Sequence, residues 1–494
     1  MTKLPTQLYT ATQVRELDKI AIKDHNISGY TLMTRAAKAA FDLIQEFHPH
    51  DKYIAVVCGA GNNAGDGFAL ASLAHKAKKN VVVFLLINPN KLKGDALKAY
   101  KDLVKTKTTI IQYTNQRLHT FDLIIDAIFG SGLSRNIINP FRKAVLAINS
   151  AQKPVLSLDL PSGIQADTGE IMGCAVMATA SISFIGLKRG LFTNNGPECS
   201  GRIFFDDLGV PSSIYEWINN ETERLNITQL LAKLPPRAKN THKNNYGHTL
   251  IVGGNTGMLG AALLCATACL RTGSGLVSLA TKKQHAPLIN KWLPEVMSWG
   301  VDKDTQIAEQ MGKASVIAIG PGLGQDVWAK HLFQACIKSK LPLVIDADAL
   351  NLLAQEPLKK ETMILTPHPG EAARLLGSST AAVQKDRFSA IRKLALKYQA
   401  TVILKGSGSL VCDPKSNIYL CDLGNPGMAS GGMGDALTGI VAALIAQGLS
   451  ALDAAKLGVC LHAKAADLAA TKGERGLVAS DLFVYLRNLV NNSV

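Results

Sequence analysis

Two successive α/β domains, each built on a parallel sheet, are predicted for this chain. Short apolar runs bounded by glycine and polar turns alternate with longer segments of helical period from end to end, the pattern of strand–helix–strand units. The rhythm breaks once, over residues 211–246, where Asn-Asn-Glu-Thr-Glu-Arg and Leu-Pro-Pro-Arg-Ala-Lys-Asn-Thr-His-Lys-Asn-Asn are polar and carry proline. A length of 494 residues also exceeds what one hydrophobic core usually holds. On this pattern we divide the chain into a first domain over 1–220, a linker over 221–245 and a second domain over 246–494.

The elements follow in order. An amphipathic helix opens the first domain, with Thr12 placed to cap it and Val14, Leu17 and Ala21 at helical spacing. Strands are expected over 53–57, 81–86, 123–125, 155–158, 182–184 and 203–205, with a helix over 68–77 after the first of them. After the linker, strands are expected over 249–252, 276–279, 316–319, 343–345, 363–365 and 402–404, and an apolar helix over 436–446.

Composition narrows the function. Hydrophobic residues make up 47% and charged residues 18%, so the chain is globular with a large core. The net charge of +15 raises nucleic-acid binding, but the basic clusters Lys76, Lys78, Lys79 and Arg237, Lys239, Lys243 are short and lack interleaved aromatics. Anionic small molecules such as nucleotides are the better partner, and no nucleic acid is expected. Nine cysteines without metal-ligand spacing read as buried thiols in a reducing cytoplasm, and Cys265 and Cys269 as core residues on one helix face. There is no apolar signal core and no membrane span, so a cytoplasmic protein is expected.

The chemistry is densest at residues 430–435, Ser-Gly-Gly-Met-Gly-Asp, a glycine-rich turn that runs into an apolar helix. Uncovered amides at a helix N-terminus favour a phosphate. A carboxylate beside an anion repels it, so Asp435 reads as a proton acceptor for a hydroxyl that meets the phosphate. The helix-cap reading of Asp435 is compatible with that role.

In the first half, Gly59, Gly61 and Ala64 match the dinucleotide fingerprint, but the second strand ends Ile-Asn-Pro-Asn without the ribose-binding acid. Asn62, Asn63 and Asp66 crowd the turn instead. Two further strand ends, 126–132 and 159–163, carry Asp126 and Asp159, and in an open α/β sheet such loops meet on one rim. The Asn63 carbonyl, the Asp126 carboxylate and the Ser162 hydroxyl suit a hard cation. In the second half, polar turns at 320–324, 346–351, 366–371 and 404–409 gather in the same way, and no Walker A sequence occurs.

Taken together, the motifs at 62–67, 126–132, 159–163 and 184–190 resemble the epimerase domain that acts on hydrated nicotinamide nucleotides, over roughly residues 1–220 and on a Rossmann-like three-layer α/β/α fold. Gly253-Gly254, Gly260-Ala261, the Asp346 loop, 366–371 and 431–435 resemble the ribokinase-like dehydratase that repairs hydrated NADH and NADPH, over about 225–494. In the first domain the resemblance implies substrate contacts at Asn62, Asn63, Ala64, Gly65, Asp66, Gly130, Ser131, Gly132, Leu133, Ser134, Arg135, Asn136 and Asp159. It implies potassium held by Asn63, Asp126 and Ser162, with Asp159 as the epimerising acid or base. In the second domain it implies substrate contacts at Ala261, Gly322, His368 and Asp435. Nucleotide contacts fall to Lys405, Gly406, Ser407, Gly408, Ser409 and Gly434, with Asp435 catalytic. Magnesium, ADP as co-substrate and a homo-oligomer are implied as well. The sequence departs from the pattern at Ala64, where glycine is usual, and at Thr34, where an acid is usual; Ala64 would strain its loop at positive φ. A ribokinase-like small-molecule kinase with a regulatory nucleotide-binding first domain is the competing reading, and a non-enzymatic nucleotide-binding scaffold is the third.

Overall fold

The computed structural model describes residues 4–302, 304–360 and 362–491. The chain falls into two compact units, one ending at Thr222 and one beginning at Glu223. Residues 221–245 are not bare connector: they hold a short strand, Thr222–Arg224, a helix, Ile227–Leu231, and the first residues of a 3-10 turn, Lys243–Tyr246.

The first unit is built on seven strands: β1 (Tyr53–Cys58), β2 (Asn80–Leu85), β3 (Thr109–Gln112), β4 (Leu123–Ala127), β5 (Val155–Leu158), β6 (Ala180–Phe184) and β7 (Arg202–Asp206). All pair in parallel, in the order β3-β2-β1-β4-β5-β6-β7. Alternate residues of a strand face opposite sides, and here both sides are apolar. Ile54 and Val56 pack with the helices Ala11–Lys23, Gly29–Phe47, Asn62–Lys76 and Gly94–Lys105. Ala55 and Val57 pack with Ala144, Val145 and Ile148 of the helix Phe141–Ser150 on the other side. The result is three layers, α/β/α.

Two local expectations are corrected. The first helix is capped by Thr10, not Thr12: the Thr10 hydroxyl accepts from the Gln13 amide, and Gln13 answers on the Thr10 amide, a reciprocal box that Thr12 is too late to make. The helix after β1 starts at Asn62 rather than near residue 68, because Gly61 gives an extended N-cap directly after the strand. Ala64 therefore sits in a helical turn, fully buried and without positive φ, and the extra methyl strains nothing.

The second sheet has ten strands: β8 (Thr222–Arg224), β9 (His248–Val252), β10 (Leu276–Thr281), β11 (Met297–Gly300), β12 (Val316–Ile319), β13 (Leu343–Ile345), β14 (Met363–Leu365), β15 (Thr401–Leu404), β16 (Ser409–Cys412) and β17 (Ile418–Cys421). Their order is β11-β10-β9-β12-β13-β14-β15-β16-β17-β8. The run from β11 to β15 is parallel, but β15, β16 and β17 turn antiparallel, so the sheet is mixed rather than wholly parallel. One face is covered by the helices Leu259–Thr272, Met433–Ala446, Ala451–Ala469 and Leu482–Leu489. Met433–Ala446 is apolar on nearly every side, as a helix enclosed by its neighbours must be. Gly439 lets it close on Leu259–Thr272: a Cβ there would lie 2.2 Å from the Cys265 carbonyl oxygen.

In each sheet the strand order reverses once within the parallel part, between β1 and β4 and between β9 and β12. The crevice at such a reversal, beyond the carboxyl ends of the strands, is where a ligand can enter.

Candidate active sites

In the first unit a cavity of about 550 Å³ opens at the β1/β4 reversal. It is lined by Asn62, Asn63 and Asp66 from the helix after β1, by Gly130, Ser131, Gly132, Leu133, Ser134 and Arg135 after β4, by Asp159 after β5 and by Lys188 after β6. Ala64 and Gly65 lie in the same first turn but point into the core, and a Cβ on Gly65 would run into Met33. Asn136 is exposed at the end of its loop, beyond the lining residues.

Asp159 is held from two sides. Its Oδ1 pairs with the Nζ of Lys188, a lysine only 1% exposed, and its Oδ2 accepts from the Ser131 amide at 3.0 Å. The Lys188 ammonium also donates to the Phe184 carbonyl at 2.9 Å and to Ser183 Oγ at 3.2 Å, so its charge is spent inward and toward Asp159. Asp159 has φ +69° and Ile185, also lining the cavity, has φ +61°. A left-handed β-branched residue is a true outlier, and such strain collects at functional sites. Three more carboxyls, Asp18, Asp66 and Asp95, line the same space. Burial, with Asp159 and Asp66's other neighbour Asp18 adding repulsion, pushes Asp66 well above the usual carboxylate range. Burial also raises Asp18, to about 6, against the pull of Lys188.

Beneath this rim Asp126 is fully buried. Its Oδ1 accepts from Ser162 Oγ at 2.6 Å and its Oδ2 from Ser157 Oγ and the Ser162 amide, each at 2.8 Å. Burial still holds its carboxyl above the usual range. No cationic side chain pairs with it among the described residues. Asn63, 8% exposed, has neither its Oδ1 nor its Nδ2 hydrogen-bonded. Thr34 lies elsewhere, hydrogen-bonded to the Thr31 carbonyl and lining a shallow groove with Arg35 and Lys38.

In the second unit four segments converge. Lys405, at the end of β15, donates to Asp346 Oδ1 at 2.8 Å and stands 3.7 Å from Glu371 Oε2. Thr438, in the helix Met433–Ala446, donates to Asp346 Oδ2 at 2.8 Å. Burial alone would raise Asp346, but Lys405 and the hydrogen bonds it receives hold it below the usual carboxylate range. Gly434 passes directly over this pair: a Cβ there would stand 3.1 Å from Lys405 Nζ.

Gly432, at φ +86°, caps that helix with no side-chain hydrogen bond, so its first amides are left for a ligand. Asp435 sits in this first turn, partly buried. Burial and then Asp346 push its carboxyl up to about 7, with Lys405 opposing and Asp348 and Glu371 adding repulsion. A carboxyl poised near neutrality can both take and release a proton. His368 caps the helix Pro369–Leu376, its Nδ1 accepting from the Gly370 amide at 3.0 Å while Glu371 returns to the His368 amide at 2.8 Å. Its Nε2 stands 3.4 Å from Glu371 Oε1 on a half-exposed ring; burial followed by nearby cations holds the ring below its usual pKa, offset by Glu371. Gly322, at φ +58°, lies against Ala261: a Cβ on it would come within 3.3 Å of the Ala261 methyl.

The loop 405–409 rests on a residue the motifs do not point to. Arg387 is 1% exposed, and its guanidinium donates to the carbonyls of Leu404, Lys405 and Gly408 at 3.1–3.3 Å. A Cβ on Gly406 would strike it. Burial lowers its pKa to about 10. The signal was present: Arg387 falls on the stripe of Ile391, Leu394 and Tyr398, a charge where the helix should be apolar. Glu371, Thr438 and Lys188 likewise sit inside motifs whose partners lie far off in sequence. Asp18 sits at the edge of the Val14, Leu17, Ala21 face. Among the described residues no group of three His, Cys, Asp or Glu is placed to hold a metal, and no helix is long and apolar enough to cross a membrane.

Comparison with known proteins places both halves. Residues 249–488 match the family model described as NAD(P)H-hydrate dehydratase, and residues 29–190 match that of the YjeF-related protein N-terminus. The chain is 45% identical over 487 residues to a bifunctional NAD(P)H-hydrate repair enzyme of Coxiella burnetii, covering 98% of this chain and 100% of that one. It is 37% identical to the Escherichia coli enzyme of the same description, over 99% and 95% of the two chains. Among solved structures, a ribokinase-like superfamily protein of Enterococcus faecalis superposes with a TM-score of 0.51 at 25% identity, covering 56% of this chain and 97% of that one. A Streptococcus mutans protein does so with a TM-score of 0.51 at 28% identity, over 55% and 99%. The second unit therefore has the ribokinase-like fold, and the full-length relatives carry the repair description rather than that of a kinase. The chain belongs to the bifunctional NAD(P)H-hydrate repair enzymes.

Proposed function

We propose that the first unit interconverts the R and S hydrates of NADH and NADPH, and that the second dehydrates the S form with ADP, giving AMP, phosphate and NAD(P)H. The observation that carries the reading is the carboxyl of Asp435, raised to about 7, on an uncapped helix N-terminus beside Lys405 and Asp346.

A hydrated nicotinamide bears a hydroxyl on the ring carbon next to nitrogen, and hydroxide leaves poorly at neutral pH. Asp435 takes the hydroxyl proton as the oxygen attacks the terminal phosphorus of ADP, and AMP departs with the electron pair of the broken P–O bond. Amides over 431–434 steady the moving phosphoryl group. Phosphate then leaves the ring carbon, pushed by the nitrogen lone pair, and loss of a proton from the adjacent carbon restores the reduced ring. Lys405, fixed by Asp346, keeps positive charge at the phosphate end, and Arg387 holds the loop 405–409 in place for the nucleotide. Substrate contacts fall to Ala261, Gly322, His368 and Asp435.

Magnesium fits as an ion carried by the nucleotide's phosphates, since among the described residues no group of three His, Cys, Asp or Glu is placed to hold one; bound there it would neutralise phosphate charge. Potassium fits the first unit, where the Asn63 carbonyl is buried without a partner and Asp126 has no cationic neighbour among the described residues. Asn63, Asp126 and Ser162 would hold it, and it would neutralise Asp126 and fix the rim loops. In the cavity above, Asp159 exchanges protons with the substrate. All nine cysteines are free, eight of them buried, which supports a reducing cytoplasm; assembly as a homo-oligomer rests on the resemblance alone.

The test is to mix purified protein with both hydrates, with and without ADP, ATP and potassium, and follow recovery of the reduced coenzyme by its near-ultraviolet absorbance. Complete recovery with ADP is expected. A stable phosphorylated product without coenzyme would mean a kinase instead.

A further inference from the structure

Epimerising the hydrate needs two proton-handling groups, because the oxygen that leaves one face of the ring carbon must be replaced on the other. Asp159 supplies one. It is already engaged by Lys188 and the Ser131 amide as an acceptor, which suits a group that receives a proton. The cavity holds a second carboxyl of different character on the opening helix Ala11–Lys23, before the residues matched by the family model at 29–190.

We propose that Asp18 is the second acid–base group of this cavity, giving a proton to the oxygen that leaves the ring carbon while Asp159 receives one from the water that adds on the opposite face. The proposal rests on the epimerase reading of the site. In the forward direction the Asp18 proton passes to the hydroxyl oxygen, and the carbon–oxygen bond breaks with its electron pair leaving as water. The ring nitrogen's lone pair forms the carbon–nitrogen double bond. A water molecule then adds to the same carbon, the nitrogen recovers its pair, and the surplus proton goes to Asp159; the reverse reaction exchanges the two roles.

Three observations carry it. Asp18, Asp159 and Lys188 line one cavity of about 550 Å³, large enough for a nicotinamide ring and its ribose. Asn63, 8% exposed and with both amide atoms unpartnered, lines the same space, so the cavity is built for a ligand. The environments of the carboxyls also differ, which is how two like groups divide acid and base roles. Burial raises Asp18 to about 6, within reach of neutrality, whereas burial with the charges of Asp159 and Asp18 pushes Asp66 well above the usual carboxylate range. The charged groups around Asp18 are Arg15 on its own helix, Asp66, Asp95, Arg135, Asp159 and Lys188.

Asp18→Asn and Asp18→Glu in the full chain test the assignment. The readouts are conversion of pure R hydrate without ADP, its pH profile, and NADPH affinity by titration. The wild-type rate is expected to fall as pH rises through about 6, where Asp18 loses its proton. Asp18→Asn should lower kcat by about 10²-fold or more, remove that limb and leave NADPH binding unchanged, with Asp18→Glu restoring part of the rate. An unaltered rate and limb, or a loss of NADPH affinity that matches the loss of rate, overturns the assignment. A wild-type chain that binds NADPH yet leaves the hydrates unconverted sinks the epimerase reading itself, whereas an active wild type with an unaltered variant sinks only the role of Asp18.

Discussion

At Asp435 the proposed proton transfer and stability pull apart. Its carboxyl, at about 7 in the fold against about 4 in an unfolded chain, binds its proton more tightly when folded. Its contribution to stability is full below the unfolded value and is lost as pH climbs through about 7, the range in which it becomes a base. Asp435→Asn should therefore lower dehydration by about 10²- to 10⁴-fold, flatten the pH dependence near 7, and raise the melting temperature relative to wild type above that pH. Coenzyme absorbance and thermal melts on either side of neutrality check both halves, and a fully active variant removes Asp435 from the mechanism. The sequence made this residue legible because its glycines and its helix are contiguous. Lys405 was expected to approach an anion, and the nearest one is the protein's own Asp346, 59 residues away. Neither segment carries a mark of the other, so only the fold could pair them. Asp18 and Arg387 were hidden differently, Arg387 as a charge that breaks the apolar face of an otherwise ordinary helix and Asp18 as one at the edge of such a face.

The Met433–Ala446 helix shows how such a residue is held steady. Its side chains are buried on nearly every face, and Gly439 brings its backbone against the Cys265 carbonyl. Gly439→Ala should cost about 1–3 kcal/mol by overpacking and, by displacing the helix that carries Gly434 and Asp435, should reduce dehydration more than epimerisation. Denaturant midpoints with both activities measured on one preparation would show it; equal losses would mean a global defect. The buried strands were legible as continuous apolar runs, since both faces of their sheets are covered. The ones missed are peripheral or out of pattern. β3 and β11 are sheet edges, short and partly exposed, with too few apolar residues to stand out. β16 begins inside a segment read as a glycine-rich loop and runs antiparallel to β15, which a purely parallel expectation has no place for.

Each unit carries its own sheet, its own core and one reversal of strand order, and the residues proposed for each reaction lie within one unit. Asp159→Asn should abolish epimerisation and leave dehydration of the S hydrate intact, and Asp435→Asn should do the converse. An equimolar mixture of the two variants should then repair a mixture of both hydrates completely, because the hydrate is free to diffuse between molecules. Incomplete recovery by the mixture, with each variant active in its own reaction, would mean that the hydrate is passed on within one chain. The order in which the parts of each site occur along the chain has a further consequence. The first cavity is lined by segments that end at Leu208, just past the last strand of its sheet, whereas the second lacks Asp435, its proposed base, until the helix Met433–Ala446 has been made. On a translating ribosome the epimerising half can thus mature while the rest is still being polymerised, and the dehydrating half becomes competent only near the end of synthesis.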